Sequence, residues 1–141
     1  MGKWLLLFIA LFVGLGACAG GMIAWLSWQP LENGDTYMGL SHTMLRHTPF
    51  STFLVPGIFL FLILGLGNLS AALLMIRKKD SYLSMCMGGC LVAWILIQVG
   101  MLRVGNGLHV FFLLIGFLQF GLSRHIIRVA HQHIPFSAHQ N

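Results

Sequence analysis

The side chains best suited to metal or redox chemistry in this sequence are three cysteines and seven histidines. Cys86 and Cys90 are spaced i, i+4, so a helix would place both thiols on one face, beside two methionines that also favour a soft ion such as Cu(I). Two cysteines without a second pair of ligands indicate small packing residues more strongly than a metal site. No histidine lies in the middle of an apolar run, where a haem ligand between helices would stand. The sequence therefore predicts no catalytic residue, no metal site and no cofactor.

Two carboxamide side chains lie deep inside apolar runs, Asn68 in the second run and Gln119 in the fourth. Counted along two helices that run in the same direction, their depths differ by about 6 Å, at about 1.5 Å per residue. Because an unpaired amide in hydrocarbon is costly, we expect the two to hydrogen-bond each other as a structural polar pair. A polar pocket for a ligand within the membrane is the alternative that the sequence leaves open.

A third group of polar side chains borders the ends of the apolar runs: Arg46, His47, Gln98, Arg103 and His109. If the runs are helices of one bundle, these five residues lie at the same end of it, beside the first turn of the second helix. The free N–H groups and the positive dipole end of that helix favour an anion, as arginines do. We therefore expect this set to bind an anionic or carbonyl-bearing headgroup whose apolar tail lies among the helices. An ordinary interface, where these side chains simply reach water, is the alternative.

The elements that position these residues follow from the composition of the chain. Hydrophobic residues make up 57% of the 141 residues and charged residues only 8%, whereas about 25% charged is usual for soluble domains. Eleven charged side chains cannot cover the surface of a soluble fold of this size, so we expect an integral membrane protein. The basic residues form short clusters at the ends of apolar runs rather than a stripe, which excludes nucleic acid as a partner.

Four apolar runs have the length of about 20 residues that a helix needs to cross a bilayer. They are Trp4–Trp28, Phe53–Ile76, Ser81–Leu102 and Leu108 to about Ile127. The first run is too long for the apolar core of a signal peptide, so we expect a retained helix. The predicted fold is all-α, with four transmembrane helices in an antiparallel bundle over residues 1–128 and a short cytoplasmic His-rich tail over residues 129–141.

The orientation follows from the distribution of lysine and arginine. With the N-terminus in the cytoplasm, six basic residues lie on the cytoplasmic side and two, Arg46 and Arg103, lie outside. The bias predicts a bacterial inner-membrane protein with both termini cytoplasmic. Gln29–Thr52 is then a 24-residue external loop, and loops of that length are usually functional. We expect Met38, Met44 and Leu45, in an interfacial helix of this loop, to face lipid, and Pro56-Gly57 to kink the second helix.

Small residues are frequent in the predicted helices, and the first helix contains Gly14, Gly16, Gly20 and Gly21. Glycines let helix backbones approach closely in lipid. Packing within one bundle is the simpler interpretation, and a homodimer face that includes Gly16 and Gly20 is the alternative.

Several short stretches also suggest a family: HTPFSTFLVPG at residues 47–57, GLGN at 65–68, WILIQ at 94–98, and Gln119. Together they resemble a group of small bacterial four-helix membrane proteins of unassigned function, broadly DoxX-like in size and topology. The resemblance covers roughly Thr48 to Gln119 and carries no activity with it. DoxX-type proteins are linked to quinone-associated redox complexes, but no residue here transfers that role.

The function that we expect is that of a non-enzymatic membrane component. It would bind a lipid-like or quinone-like ligand or a partner membrane subunit. Its expected partners are membrane lipids and either a second copy of the chain or another membrane protein. The alternative is a small redox or metal-handling membrane protein that uses the cysteines and histidines.

Overall fold

Four long helices make up almost all of the structure, a computed structural model. It describes residues 2–27, 36, 40–46, 48–77, 81–102 and 107–132. The helices are α1 (Gly2–Leu26), α2 (Leu54–Ile76), α3 (Tyr82–Leu102) and α4 (Gly107–Gln132). The described residues contain no β-strand. All four helices are long and apolar enough to cross a membrane, so the predictions of an all-α fold and of four candidate spans are confirmed.

The outer surface of these helices is strongly apolar. Large side chains such as Phe8, Trp25, Leu62 and Leu114 are half or more exposed to the surroundings. A soluble monomer rarely exposes large contiguous apolar patches, because apolar surface in water is unfavourable. Lipid removes that cost, and intrahelical hydrogen bonds satisfy the backbone within the hydrocarbon. The architecture is that of a multi-pass membrane protein.

Glycines bring α1 and α2 into close contact. A Cβ atom added to Gly57 would lie 2.6 Å from the Cβ of Ala24, and one added to Gly21 would lie 2.8 Å from the carbonyl oxygen of Gly57. Further along the same interface, a Cβ on Gly14 would lie 2.9 Å from the side chain of Leu69. Gly16, by contrast, has nothing within 4 Å. Gly14 and Gly21 therefore pack within the bundle, and Gly16 faces outward.

The pair α3 and α4 is built in the same way. A Cβ on Gly88 would lie 2.7 Å from the backbone nitrogen of Phe120, and one on Gly116 would lie 2.8 Å from the side chain of Val92. Between the two glycine-packed pairs lies a shared apolar core. Its buried members are Ile9, Val13, Ala17, Leu64, Leu91 and Ile95, and partly buried residues of α4 pack against it.

The irregular part of α2 is not where the sequence predicts it. Pro56 lies in the first turn, where its missing N–H has no hydrogen bond within the helix to lose. The departure from α geometry comes later, at Leu60–Leu66, which form a π-helical segment. Such segments are rare and occur often at functional sites. The prediction of a kink at Pro56-Gly57 is corrected accordingly.

One expectation at the boundary of the bundle also changes, and the side chains of Met38 and Met44 lie outside the described part of the chain. Leu45, at the end of a short 3-10 helix over His42–Leu45, is only 6% exposed and does not face lipid. The hydroxyl of Thr48 donates to the carbonyl oxygen of Leu45 at 3.0 Å, which ties the turn down before α2 begins. At the other end of the chain, α4 continues to Gln132, so the first residues of the expected tail are helical. Residues 133–141 lie outside the described part of the chain.

Candidate functional site

A cluster of buried polar groups joins three helices inside the bundle. The Nε2 of Gln119 donates a 2.7 Å hydrogen bond to the Oδ1 of Asn68, and both side chains are 0% exposed. The same Nε2 lies 3.2 Å from the carbonyl oxygen of Ser84 and 3.3 Å from its hydroxyl. The hydroxyl of Ser123 donates to the carbonyl oxygen of Gln119 at 2.7 Å. The structure thus brings Asn68 and Gln119 together and adds Ser84 of α3, which the sequence reasoning missed.

Two backbone carbonyls fix the orientation of both amides. The Nδ2 of Asn68 donates to the carbonyl oxygen of Leu64 at 2.8 Å, inside the π-helical segment. Turning the Asn68 amide over would place its oxygen against that carbonyl. Turning the Gln119 amide over would place its oxygen against the carbonyl of Ser84. Both alternatives oppose two acceptors, so each amide has one allowed orientation.

This fixed orientation leaves one acceptor without a donor. The Oε1 of Gln119 is buried and has no hydrogen-bond partner among the described residues. A buried polar atom left in this state costs about 1–3 kcal/mol. The cluster therefore holds α2, α3 and α4 together at the cost of one unpaired acceptor. Its other hydrogen bonds are made within the bundle, so its role is mainly structural.

The outer set predicted from the sequence is only partly described. Arg46 is exposed and borders a cavity of about 310 Å³ together with Thr43, Leu45 and Phe50. Gln98 is half-buried on α3, and no hydrogen bond joins it to Arg46 within the described residues. His109 is half-buried on α4. His47 and Arg103 lie outside the described residues, so convergence of the whole set stays a prediction.

An apolar groove opens between α1 and α2 at the same end of the bundle. It has a volume of about 500 Å³ and is lined by Gly21, Met22, Trp25, Gly57, Ile58, Phe61 and Leu62. Gly21 and Gly57 are its buried lining residues, where the two helices touch, and Met22, Trp25 and Leu62 are exposed beside them. The sequence reasoning did not find this groove. Its only signals were Gly21 and Gly57, one near the end of α1 and one near the start of α2.

A second orphaned polar atom lies between α2 and α3. The ring of Trp94 stacks on Phe59 with centroids 4.3 Å apart, and its Nε1 is buried without a hydrogen-bond partner among the described residues. Gln98 follows one turn later on the same helix. An indole N–H is a donor only, so this group would suit a carbonyl or hydroxyl oxygen.

The thiols and histidines are dispersed over the structure. Cys18, Cys86 and Cys90 are all free, and Cys86 is exposed on the surface of α3. His131 shares a 3.2 Å hydrogen bond with the hydroxyl of Tyr82. The described part of the chain contains no group of three or more His, Cys, Asp or Glu residues that could hold a metal ion.

The expected likeness to DoxX-like proteins stays a prediction, since it depends on the sequence stretches alone. No family model, no curated protein and no solved structure matches the chain.

Proposed function

We propose that the chain is a non-enzymatic component of a bacterial inner membrane that holds a lipid-like or quinone-like ligand. The ligand's apolar tail would lie in the groove between α1 and α2, and its headgroup would reach the polar residues that precede α2. The observation that carries this proposal is the groove of about 500 Å³, which has apolar walls and opens on the outer, apolar surface of the bundle. Its volume falls in the range of small-molecule sites, about 300–1,000 Å³.

The proposal includes an antiparallel bundle with both termini in the cytoplasm and an external loop between α1 and α2. The order of contacts supports it: Gly14 meets Leu69, whereas Gly21 meets Phe61. Numbers that rise along α1 therefore fall along α2, and the contacts of α3 with α4 have the same inverse order. The excess of basic residues at one end of the chain's helices then selects the cytoplasmic side.

The residues at the start of α2 are suited to bind an anionic or carbonyl-bearing headgroup. Arg46 is exposed beside a cavity at the turn that leads into α2, and a guanidinium donates several hydrogen bonds in a fixed plane. Trp25, 70% exposed at the rim of the groove, has an apolar ring and a polar N–H, which suits the boundary between hydrocarbon and headgroups. Gln98, Arg103, His47 and His109 complete the proposed set.

A matched pair of substitutions on α2 tests the groove. Leu62 lines it and is 51% exposed, whereas Leu73 lies elsewhere on the same helix and is 48% exposed. Leu62→Trp fills the groove, and Leu73→Trp adds the same bulk outside it. After extraction in a mild detergent, native mass spectrometry should show a lipid or quinone adduct on the wild type and on Leu73→Trp but not on Leu62→Trp. The same spectra report whether the chain is a monomer, a homo-oligomer or bound to another subunit.

Two further variants test the headgroup end. Arg46→Ala and Gln98→Leu should both reduce retention of the adduct without reducing the amount of folded protein. Equal retention by Leu62→Trp and Leu73→Trp would contradict the groove. Wild-type behaviour of both headgroup variants, combined with loss of the adduct on deletion of the C-terminal tail, would move the site to the other end of the bundle.

A further inference from the structure

A second groove lies at the opposite end of the bundle, where α1 begins and α4 ends. Its volume is about 480 Å³, and its walls are Gly2, Lys3 and Trp4 of α1 and Leu122, His125, Ile126, Val129 and Ala130 of α4. Its base is formed by the close approach of the two helices, since a Cβ on Gly2 would lie 3.5 Å from the side chain of Leu122. This groove is separate from the site of the proposed function.

The groove has the chemistry of a membrane interface. Lys3 supplies an ammonium group, His125 an imidazole, and Trp4 an indole N–H, and all three side chains are exposed. Leu122 and Ile126 supply apolar walls, and Leu122 lies one turn deeper in the bundle than His125 or Ile126. Ionic and hydrogen-bonding groups beside aliphatic side chains match a phosphate headgroup attached to acyl chains.

The helix lengths place this groove at headgroup depth. At about 1.5 Å per residue, the 25 residues of α1 span about 38 Å. The hydrocarbon core is about 30 Å thick, so both ends of such a helix extend into the headgroup region. Lys3 and Trp4, in the first turn of α1, are therefore at the level of lipid phosphates.

The described charged side chains at this end of the bundle are all basic. Arg77, Arg124 and Arg128 are exposed at the same end of the bundle, which the Tyr82–His131 hydrogen bond connects to the start of α3. The described residues include no aspartate or glutamate, because the three acidic residues of the chain fall outside them. A cationic surface of this kind attracts anionic lipid, and basic pockets between membrane helices bind such headgroups.

We propose that this groove is a specific site for an anionic glycerophospholipid of the adjacent leaflet. Lys3 pairs with the phosphate, His125 and Trp4 donate hydrogen bonds to headgroup oxygens, and the first carbons of an acyl chain lie against Leu122 and Ile126. The site is distinct from the diffuse attraction of basic helix ends because one lysine and one concave wall define it.

The experiment is a competition between phosphatidylglycerol and phosphatidylcholine for the purified full-length chain, read by native mass spectrometry. Wild type should retain one phosphatidylglycerol in preference to phosphatidylcholine. Lys3→Gln should weaken that retention about ten-fold, the factor for one lost hydrogen bond between charged groups. The matched control is Arg124→Gln, which removes one positive charge next to His125 but outside the groove, and it should change retention by less than about two-fold.

Two bulky substitutions test the shape of the groove independently of its charge. Ala130→Phe fills the groove without changing the charge, and Gly121→Phe adds the same ring to α4 where nothing lies within 4 Å. Only Ala130→Phe should abolish the preference for phosphatidylglycerol, and Leu62→Trp, which blocks the other groove, should leave it intact. Equal losses in Lys3→Gln and Arg124→Gln, or equal retention of the two lipids by wild type, would overturn the proposal.

Discussion

The buried amide cluster makes a quantitative prediction about how α2 and α4 are held together. Asn68→Ala removes the acceptor of the 2.7 Å bond and leaves Gln119 with the groups of Ser84 alone. Gln119→Ala removes both interactions and leaves the Oδ1 of Asn68 buried without a donor. Each single change should cost about 2–3 kcal/mol. In Asn68→Ala a lost hydrogen bond of about 1 kcal/mol adds to a cavity and an unpaired N–H. In Gln119→Ala the unpaired Oδ1 of Asn68 replaces the unpaired Oε1, so the cost comes from the lost hydrogen bonds and a larger cavity. Both sites are fully buried, so solvent cannot replace the lost partner.

The double variant isolates the bond itself. With both side-chain amides removed, neither leaves the other unpaired. The loss of unfolding free energy should therefore be smaller than the sum of the single losses by about 1–2 kcal/mol. Alanine is the right replacement because it adds no new contact. Reversible unfolding by dodecyl sulfate in mixed micelles, followed by circular dichroism, measures all three variants. Ser84→Ala is the control, since it keeps the backbone carbonyl that accepts from Gln119, and it should stay within about 0.5 kcal/mol of wild type. A coupling below about 0.3 kcal/mol, the scatter for independent sites, would refute the reasoning.

Three further predictions concern packing, topology and thiols. Gly57→Ala should destabilise the bundle by about 1–3 kcal/mol, because its Cβ would lie 2.6 Å from that of Ala24, whereas Gly100→Ala, with nothing within 4 Å, should be neutral or stabilising in the same unfolding assay. Reporter fusions near Gly34 should read external and fusions at the C-terminus cytoplasmic, and an external C-terminus would contradict the proposed orientation. Replacing Cys86 together with its i+4 neighbour by serine should leave any bound metal unchanged, and loss of stoichiometric copper or zinc would favour the redox alternative instead.

The spans were predictable because the bilayer permits few solutions. The second apolar run was predicted at Phe53–Ile76 and the helix is Leu54–Ile76, and the third differs by one residue at its start. In hydrocarbon each span must satisfy its own backbone, so the apolar run and the helix coincide. The π-helical segment Leu60–Leu66 had no such signal. Pro56 suggested an irregularity at the wrong place, because a proline in the first turn breaks no hydrogen bond.

A contact between two side chains was predictable only where both residues are polar and stand out within apolar runs. Asn68 and Gln119 are polar residues within apolar runs, and helical depth arithmetic brings them to the same level. The contribution of Ser84 was not predictable, since its main contact with Gln119 is through a backbone carbonyl, which every residue has. A groove is harder to predict than a pair of side chains, because it is a space between residues and no particular residue type marks it. Gly21 and Gly57 line the groove between α1 and α2, yet the sequence indicates only close packing for Gly21 and a kink for Gly57.

The two kinds of helix contact divide the bundle into parts of different rigidity. Within the pairs α1–α2 and α3–α4, glycines bring the backbones so close that a single methyl group would clash, so these interfaces have one allowed arrangement. Between the pairs, α2 meets α3 and α4 through the amide cluster and through the Phe59–Trp94 stack, which are contacts between side chains rather than between backbones. The groove proposed for the ligand tail lies inside a rigid pair and is therefore preformed. The groove proposed for anionic lipid lies between α1 and α4, across the boundary between the two pairs, so lipid bound there would bridge the pairs and stabilise their association.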